Sequence, residues 1–258
     1  MNNLRTLLYR EIVEMFREYK LLWLPIAFIG IGILQPLSMK LLPTILAGQE
    51  GIIIDSNSPA SSGDTIYSGV YSQFNQFGLI IIAISLMGTV FKEKKEGILS
   101  SLFTKPISVH SYLISKYISN ISIIILSLMI GTLSSIYYTN IYFTDVTWKY
   151  YFSSLGFYSI WVLFIISVVI TMSTILKSQI QVAVAGIGIP SIFLIVNGFS
   201  NEILELLLPS SLSVNGVAVM TDESLTQNWP LNIAICLILI VALYIMSYIS
   251  LKKKNLEC

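Results

Sequence analysis

The residues that could perform chemistry are few and widely separated in this sequence. His110 is the sole histidine, and no H-E-x-x-H motif or other metal-ligand spacing accompanies it. Cys236 lies within an apolar run and Cys258 is the last residue, so neither a disulfide nor a thiolate metal site is indicated. A glycine-rich phosphate loop of the G-x-x-x-x-G-K-S/T type is also missing. The sequence therefore predicts a protein that is not an enzyme and that itself binds no cofactor and no nucleic acid.

Composition places the chain in a membrane. Of its 258 residues 55% are hydrophobic and 11% are charged, whereas soluble domains carry about a quarter charged residues. Six apolar runs are long enough to cross about 30 Å of hydrocarbon as helices. These predicted spans are residues 21–42, 70–91, 109–137, 150–176, 180–199 and 230–250. Because lipid leaves an open sheet with unpaired backbone groups, the predicted fold class is an all-α integral membrane protein with six transmembrane helices.

Basic residues set the expected orientation of these spans. Thirteen of the fifteen Lys and Arg residues fall on one side, and only Lys40 and Lys149 fall on the other. The positive-inside rule places the first side, with both termini, in the cytoplasm. Two polar segments, 48–69 and 201–230, then lie outside, and the second is predicted to form short helices between spans 5 and 6. The scarcity of Arg and the abundance of Ile and Asn indicate an AT-rich bacterial genome, so the expected location is a bacterial cytoplasmic membrane.

Residues 1–20 predict an amphipathic helix ahead of a single transmembrane domain, residues 21–258. Charged side chains lie mainly on one side of a helix with 3.6 residues per turn. The residues expected on the apolar side are Leu4, Leu8, Ile12, Met15 and Tyr19. Two interpretations stay open: a solvated helix that leads into the first span, and an interfacial helix that contacts the inner leaflet and a cytoplasmic partner.

Ionisable side chains avoid the centres of the predicted spans. No Asp or Glu lies mid-span, which argues against a carrier that depends on a buried carboxylate. Lys40 and Lys116 lie near span ends, where their long side chains are expected to snorkel. Deeper polar and aromatic residues either pack between helices or line a substrate path. The candidate path-lining residues are Phe74, Phe77, Phe193 and Asn197.

The connection between the second and third spans, residues 92–108, carries more structure than a turn requires. Residues from Glu93 to Thr104 can form one short helix with an apolar face. The residues of that face are Ile98, Leu99, Leu102 and Phe103. Pro106 ends this helix, and Ser108 is the predicted N-cap of the third span. A short amphipathic helix between two spans indicates a docking element for a cytoplasmic protein.

Residues 93–116, EKKEGILSSLFTKPISVHSYLISK, resemble the segment between spans 2 and 3 in permeases of type-2 ABC exporters. The matching residues are Glu93, Glu96, Gly97, Leu102, Pro106, Ile107, Ser108, Tyr112 and Lys116. The sequence departs from that pattern at Ile98, where threonine is common, and at Ser115, where glycine often precedes the lysine. Val109 and His110 also stand where a basic residue is usual. The leading amphipathic helix and the six spans agree with the same family.

The resemblance implies the partners of this chain. A second permease copy, identical or related, would pair with it, and two cytoplasmic ATPase subunits would supply the ATP and Mg²⁺ sites. The 93–104 helix would be the coupling helix, the turn near Lys177 a smaller contact, and spans 2 and 5 would border the path. The implied ATPase-coupling residues are Glu93, Glu96, Gly97, Ile98, Leu99, Leu102, Phe103, Pro106, Lys177 and Gln179.

The substrate is predicted only by class. The overall layout is similar to permeases that export small peptides, including amphipathic phenol-soluble-modulin toxins. A path without charges suits an amphipathic peptide, and a lipid or a drug is the alternative cargo. Two other function classes stay open: a secondary carrier driven by an ion gradient, and a membrane-embedded enzyme or scaffold that depends on His110.

Overall fold

A computed structural model describes residues 2–46, 62–104, 107–199, 206–221, 225 and 229–255. Within those ranges the chain forms helices and no strands, and six helical segments are long and apolar enough to cross a membrane. This confirms the predicted all-α, six-span fold class. Pro106 and most of the first outer segment, residues 47–61, lie outside the described residues.

The helices follow the predicted spans closely. An N-terminal helix α1 (Asn2–Arg17) precedes the first span α2 (Lys20–Leu46). The second span contains α3 (Gly63–Gln73), a π-helical turn (Phe74–Gly78), α4 (Leu79–Leu86) and α5 (Phe91–Lys95), and α6 (Ile98–Phe103) follows it. The remaining helices are α7 (Val109–Tyr142), α8 (Trp148–Ile175), α9 (Gln179–Asn197), α10 (Ser211–Met220) and α11 (Trp229–Asn255). Helix α10 is the predicted short helix between spans 5 and 6, and the second span begins earlier than predicted.

Helix α8 is the centre of the bundle. It packs against α4, α9, α10 and α11, and two thirds of its apolar stretch is buried (67%). Large side chains such as Trp161 and Phe164 fill the space between these helices. By contrast, only 17% of the apolar stretch of α9 and 11% of that of α11 are buried within one chain. The outer faces of α9 and α11 are therefore free to contact lipid or another chain.

Helices α2 and α7 cross at two glycines. A Cβ atom added to Gly32 would lie 2.1 Å from the carbonyl oxygen of Gly131. One added to Gly131 would lie 2.7 Å from the carbonyl oxygen of Phe28. Because backbone atoms cannot move aside cheaply, glycine at these positions is what permits the close approach of the two helices.

A polar contact ties the outer half of the second span to its neighbours. Asn75 lies in the π-helical turn, and its side-chain oxygen accepts hydrogen bonds from Tyr158 and Trp161, each at 3.1 Å. Its amide nitrogen donates to Ser213 of α10 at 3.4 Å. A single half-buried amide thus joins the second span, the central helix and the outer helix.

Candidate functional site

The connection between the second and third spans forms two short helices and not the single helix predicted from Glu93 to Thr104. Helix α5 ends at Lys95 and α6 begins at Ile98. Gly97 separates them with a φ of 70°, a left-handed conformation that glycine adopts without a Cβ clash. Glu93 therefore belongs to the end of the second span, while α6 is a separate element with its own direction. The predicted N-cap of the third span is confirmed, since Ser108 Oγ accepts from the Ser111 N–H at 3.1 Å.

The predicted apolar face of this connection is divided between the bundle and the surface. Leu99 is 8% exposed, and Leu102 packs against the same small buried cluster. The other buried members of this cluster are Val90, Tyr112, Leu113 and Leu251. Ile98 is 38% exposed and Glu96 is exposed as well. Leu99 and Leu102 thus anchor α6, while Ile98 and Glu96 face outward; the side chain of Phe103 lies outside the described residues.

A groove of about 500 Å³ lies between the two segments that are predicted to contact the ATPase, the connection at residues 92–108 and the turn near Lys177. Its walls come from α5 and from the turn between α8 and α9. The lining residues are Phe91, Lys94, Lys95, Lys177, Ser178, Gln179 and Ile180. Lys94 Nζ donates to the carbonyl oxygen of Leu176 at 3.4 Å and so links the two walls. Segments more than eighty residues apart therefore form one basic surface, which we call the basic groove.

A second and larger groove, of about 880 Å³, runs between α1 and α6. We call it the α1 groove. Polar residues of α1, among them Arg10 and Arg17, form one wall, and Glu96, Ile98 and Ser101 form part of the other. The N-terminal helix therefore borders the same end of the bundle as the connection and the basic groove.

Lys116 is buried between α1 and the end of the second span. The prediction that it snorkels to the surface is wrong, because its side chain is only 1% exposed. Its Nζ lies 2.8 Å from a Glu11 carboxylate oxygen, 3.1 Å from Glu93 and 3.9 Å from Glu14. Sequence reasoning missed this site because the lysine and its first partner are about a hundred residues apart. We call these residues, together with Arg10, the ion cluster.

Glu93 has three hydrogen-bond partners. Its side chain is 4% exposed and accepts hydrogen bonds from Lys116, from Arg10 and from the Tyr112 hydroxyl at 2.5 Å. Buried carboxylates need partners of this kind, since an unpaired charge is costly away from water. The side chain therefore faces the interior, and a direct contact between it and another protein is excluded in this conformation.

The face that α1 turns toward the bundle differs from the prediction. Leu7, Glu11 and Met15 are buried against α7, whereas Ile12 is 47% and Tyr19 is 69% exposed. The physical reason is that the Glu11–Lys116 ion pair and the apolar side chains of Leu7 and Met15 lie on the same side of the helix and are buried together. The location of α1 on the inner leaflet, as an interfacial helix, stays a prediction.

Two carboxyl groups, Glu11 in α1 and Glu18 directly after it, have shifted pKa values. Burial raises the pKa of Glu11, and the nearby charge and hydrogen bond of Lys116 only partly oppose it. Burial also pushes the pKa of Glu18 upward, but Lys20 and Lys92, each 2.7 Å away, together lower it below its usual value. The end of α1 is thus tied to α5 by a second, more exposed ion pair.

The candidate path-lining residues occupy different environments. Phe74 is 2% exposed and packs against Phe28 and Tyr158 in the core, whereas Phe77 is 46% exposed. Phe193 packs edge-on against Phe164 of α8. The side-chain oxygen of Asn197 accepts a hydrogen bond from Ser211 at 2.9 Å. Their role in a substrate path stays a prediction.

His110 has a structural contact at the start of α7. Its Nδ1 lies 2.7 Å from the hydroxyl group of Tyr244, and the two rings meet edge to face. This contact connects the start of the third span to the last span. It gives the imidazole a packing role between two spans.

Fold and site together define a multi-pass helical membrane protein with a buried cluster of charged side chains and two grooves at one end of its bundle. A sequence model described as "ABC-2 family transporter protein" matches residues 54–256. That match spans most of the chain, so the chain belongs to the ABC-2 transporter family and is a permease component, not itself a catalytic subunit. YxlG of Bacillus subtilis (strain 168), described as an uncharacterized transmembrane protein, is 33% identical over 193 residues, which cover 73% of this chain and 74% of the relative.

Proposed function

We propose that this chain is the permease subunit of an ATP-driven bacterial exporter. Two copies, or this chain and a related one, form the path, and two cytoplasmic ATPase subunits supply ATP and Mg²⁺ binding. Membership of the ABC-2 family supports ATPase partners. The distribution of basic residues supports a cytoplasmic location for both termini and for the end of the bundle that carries the basic groove and the α1 groove.

The observation that carries this proposal is the convergence of two distant segments in the basic groove. Helix α5 and the turn at Lys177 form one surface in which Lys95 and Lys177 are exposed. Ile180, 75% exposed, adds an apolar contact at its edge. A surface with charged and apolar groups in this arrangement suits a folded protein partner, because charges give orientation and apolar groups give affinity.

The substrate that best fits the spans is an amphipathic peptide. The segments facing the interior are rich in aromatic and hydroxyl side chains, and the ionisable groups described above lie at the ends of the spans. Such surroundings favour a molecule with apolar and neutral polar faces over a small ion. A lipid or a drug is the alternative cargo, and cargo identity is an outcome of the transport assay.

Co-purification tests the proposal. Affinity-tagged wild-type chain, extracted from its native membrane in mild detergent, should retain an ATPase subunit and show vanadate-sensitive ATP hydrolysis. Charge reversal at both Lys95→Glu and Lys177→Glu should remove that subunit, because it replaces two positive charges of the basic groove with negative ones. Candidate peptides added to the wild-type complex should then raise its hydrolysis rate.

Lys149→Glu is the matched control. Lys149 is exposed at the opposite end of α8, which at 1.5 Å per residue is about 40 Å from Lys177. This variant should keep the ATPase. Loss of the subunit in the control as well, or its retention after the double reversal, would contradict the assignment of the basic groove. Transport that follows a proton gradient and ignores ATP would favour a secondary carrier.

A further inference from the structure

The ion cluster connects three elements through side chains that are buried where these elements meet. Glu11 belongs to α1, Glu93 to α5 and Lys116 to α7, and all three side chains are 5% exposed or less. Arg10 and the hydroxyl of Tyr112 complete the bonds to Glu93. One buried lysine therefore holds the N-terminal helix, the end of the second span and the start of the third span together.

The composition of the cluster argues for a joint and against a metal site. The carboxylates of Glu11, Glu14 and Glu93 lie close enough together to hold a cation. The Lys116 ammonium group lies within 3.9 Å of all three and supplies the positive charge in their midst. Since a fixed ammonium with directed hydrogen bonds allows one arrangement of its partners, it defines geometry as well as neutralising charge.

Helix α6 is held on the same part of α7 by different forces. Leu99 packs into the apolar cluster with Tyr112 and Leu113, without any ion pair. Loss of the Lys116 charge should therefore release α1 while α6 stays in place. The α1 groove, which lies between α1 and α6, would lose one of its two walls.

We propose that Lys116 is a positioning residue that locks α1 to the coupling segment, residues 92–108, so that both move as one rigid unit when the ATPase acts. The inference rests on the proposed function, because the ATPase supplies the movement. The lock itself is a property of the chain alone. Helix α1 precedes the first span and packs against the third, so it then carries force from the ATPase into both spans.

Distances between spin labels test the lock directly. Labels attached at Arg5→Cys and Thr104→Cys, both exposed, report on α1 and α6. A second pair, Thr104→Cys with Tyr137→Cys near the far end of α7, reports movement of the coupling segment against the bundle. The background carries Cys236→Ala and Cys258→Ser, so that only the introduced thiols are labelled.

In the resting chain in lipid nanodiscs, the Arg5–Thr104 distance should be narrowly distributed in the wild type and in Lys116→Arg. Lys116→Met should lose the narrow component. The Thr104–Tyr137 distribution should stay unchanged in all three chains, which shows that the bundle is folded. Equal Arg5–Thr104 distributions in wild type and Lys116→Met would overturn the lock.

The complex with its co-purified ATPase, trapped with ATP and vanadate, tests the shared movement. In the wild type the Thr104–Tyr137 distance should shift while the Arg5–Thr104 distance stays constant. A wild-type Arg5–Thr104 distance that shifts on trapping would overturn the proposal of one rigid unit. A Thr104–Tyr137 distance that stays constant although ATP is hydrolysed would contradict ATP-driven movement of the coupling segment. In that case the distances in the resting chain still test whether Lys116 holds α1 in place.

Discussion

Replacement of Lys116 by methionine should destabilise the docking of α1 strongly. The ion cluster holds two positive groups, Arg10 and Lys116, and three carboxylates. Lys116→Met keeps the length of the side chain but leaves Glu11 and Glu93 buried without their shared ammonium group. Removal of one partner from a buried ion pair costs about 3–5 kcal/mol, which corresponds to roughly a hundredfold to few-thousandfold shift in the docking equilibrium.

Hydrogen exchange of the purified chain in nanodiscs measures this effect. Backbone amides of residues 2–17 should exchange faster in Lys116→Met by about that factor, up to the limit set by a fully undocked helix. Amides in the middle of α8, which packs against α4, α9, α10 and α11, should be unchanged. Exchange in residues 2–17 equal to that of the wild type would refute the account of the ion cluster.

Glu11→Gln is the matched control because it moves the net charge of the cluster in the other direction. The formal charge of −1 becomes zero in Glu11→Gln, whereas it becomes −2 in Lys116→Met. The glutamine can still accept a hydrogen bond from Lys116. The amides of α1 should therefore be protected from exchange nearly as well in Glu11→Gln as in the wild type. A loss of protection as large as that in Lys116→Met would contradict the charge argument.

The raised pKa of Glu11 adds a pH dependence with a definite sign. Above its ordinary value of 4.5 the folded chain holds the Glu11 proton more tightly than the unfolded chain does. Stability of the wild type relative to Glu11→Gln should therefore fall as pH rises from that value through the raised pKa, and then level off. Thermal unfolding of both chains followed by tryptophan fluorescence across this range checks it; a pH-independent difference would contradict it.

Three further substitutions and one comparison variant, Gly156→Ala, test other parts of the fold. Gly97→Ala forces a side chain into the left-handed region, so it should cost about 1–2 kcal/mol and reduce ATPase retention. Gly131→Ala places a Cβ against the Phe28 backbone and should cost about 1–3 kcal/mol. Gly156→Ala, whose Cβ meets nothing within 4 Å in the interior of α8, should instead stabilise by about 0.5–1 kcal/mol in the same thermal unfolding assay. Asn75→Leu removes the acceptor for a tyrosine and a tryptophan of α8 and should cost about 1–3 kcal/mol for each group left unpaired.

Much of the fold could be predicted from the sequence because hydropathy dictates where a chain can cross a bilayer. The six spans and the helix between spans 5 and 6 followed from apolar runs and turn residues. Ser108 was also recognisable, since a serine after a proline and before an apolar run is a common helix start. Each of these patterns lies within a short stretch of sequence and predicts a structure that the same residues form.

The site itself depended on contacts that local patterns do not contain. Lys116 looks like a snorkelling residue near a span end until Glu11 and Glu93 are placed beside it. One signal was available: Glu11 lies within the stripe of Leu7 and Met15, and a carboxylate on the buried face of a helix needs a partner. Gly97 does not by itself predict a break, because a glycine is tolerated within a helix and also permits the left-handed conformation that ends one.

Site-specific photo-crosslinking in living cells tests the central claim most directly. A benzoylphenylalanine residue placed at Ile98 or at Gln179 should form an adduct with the same nucleotide-binding ATPase. Ile98 lines the α1 groove and Gln179 lines the basic groove, and both grooves lie at the proposed cytoplasmic end of the bundle. The same residue at Lys149, which is exposed at the opposite end, should give no such adduct. Absence of an ATPase adduct at both Ile98 and Gln179 would contradict the proposal that this end of the permease receives the ATPase.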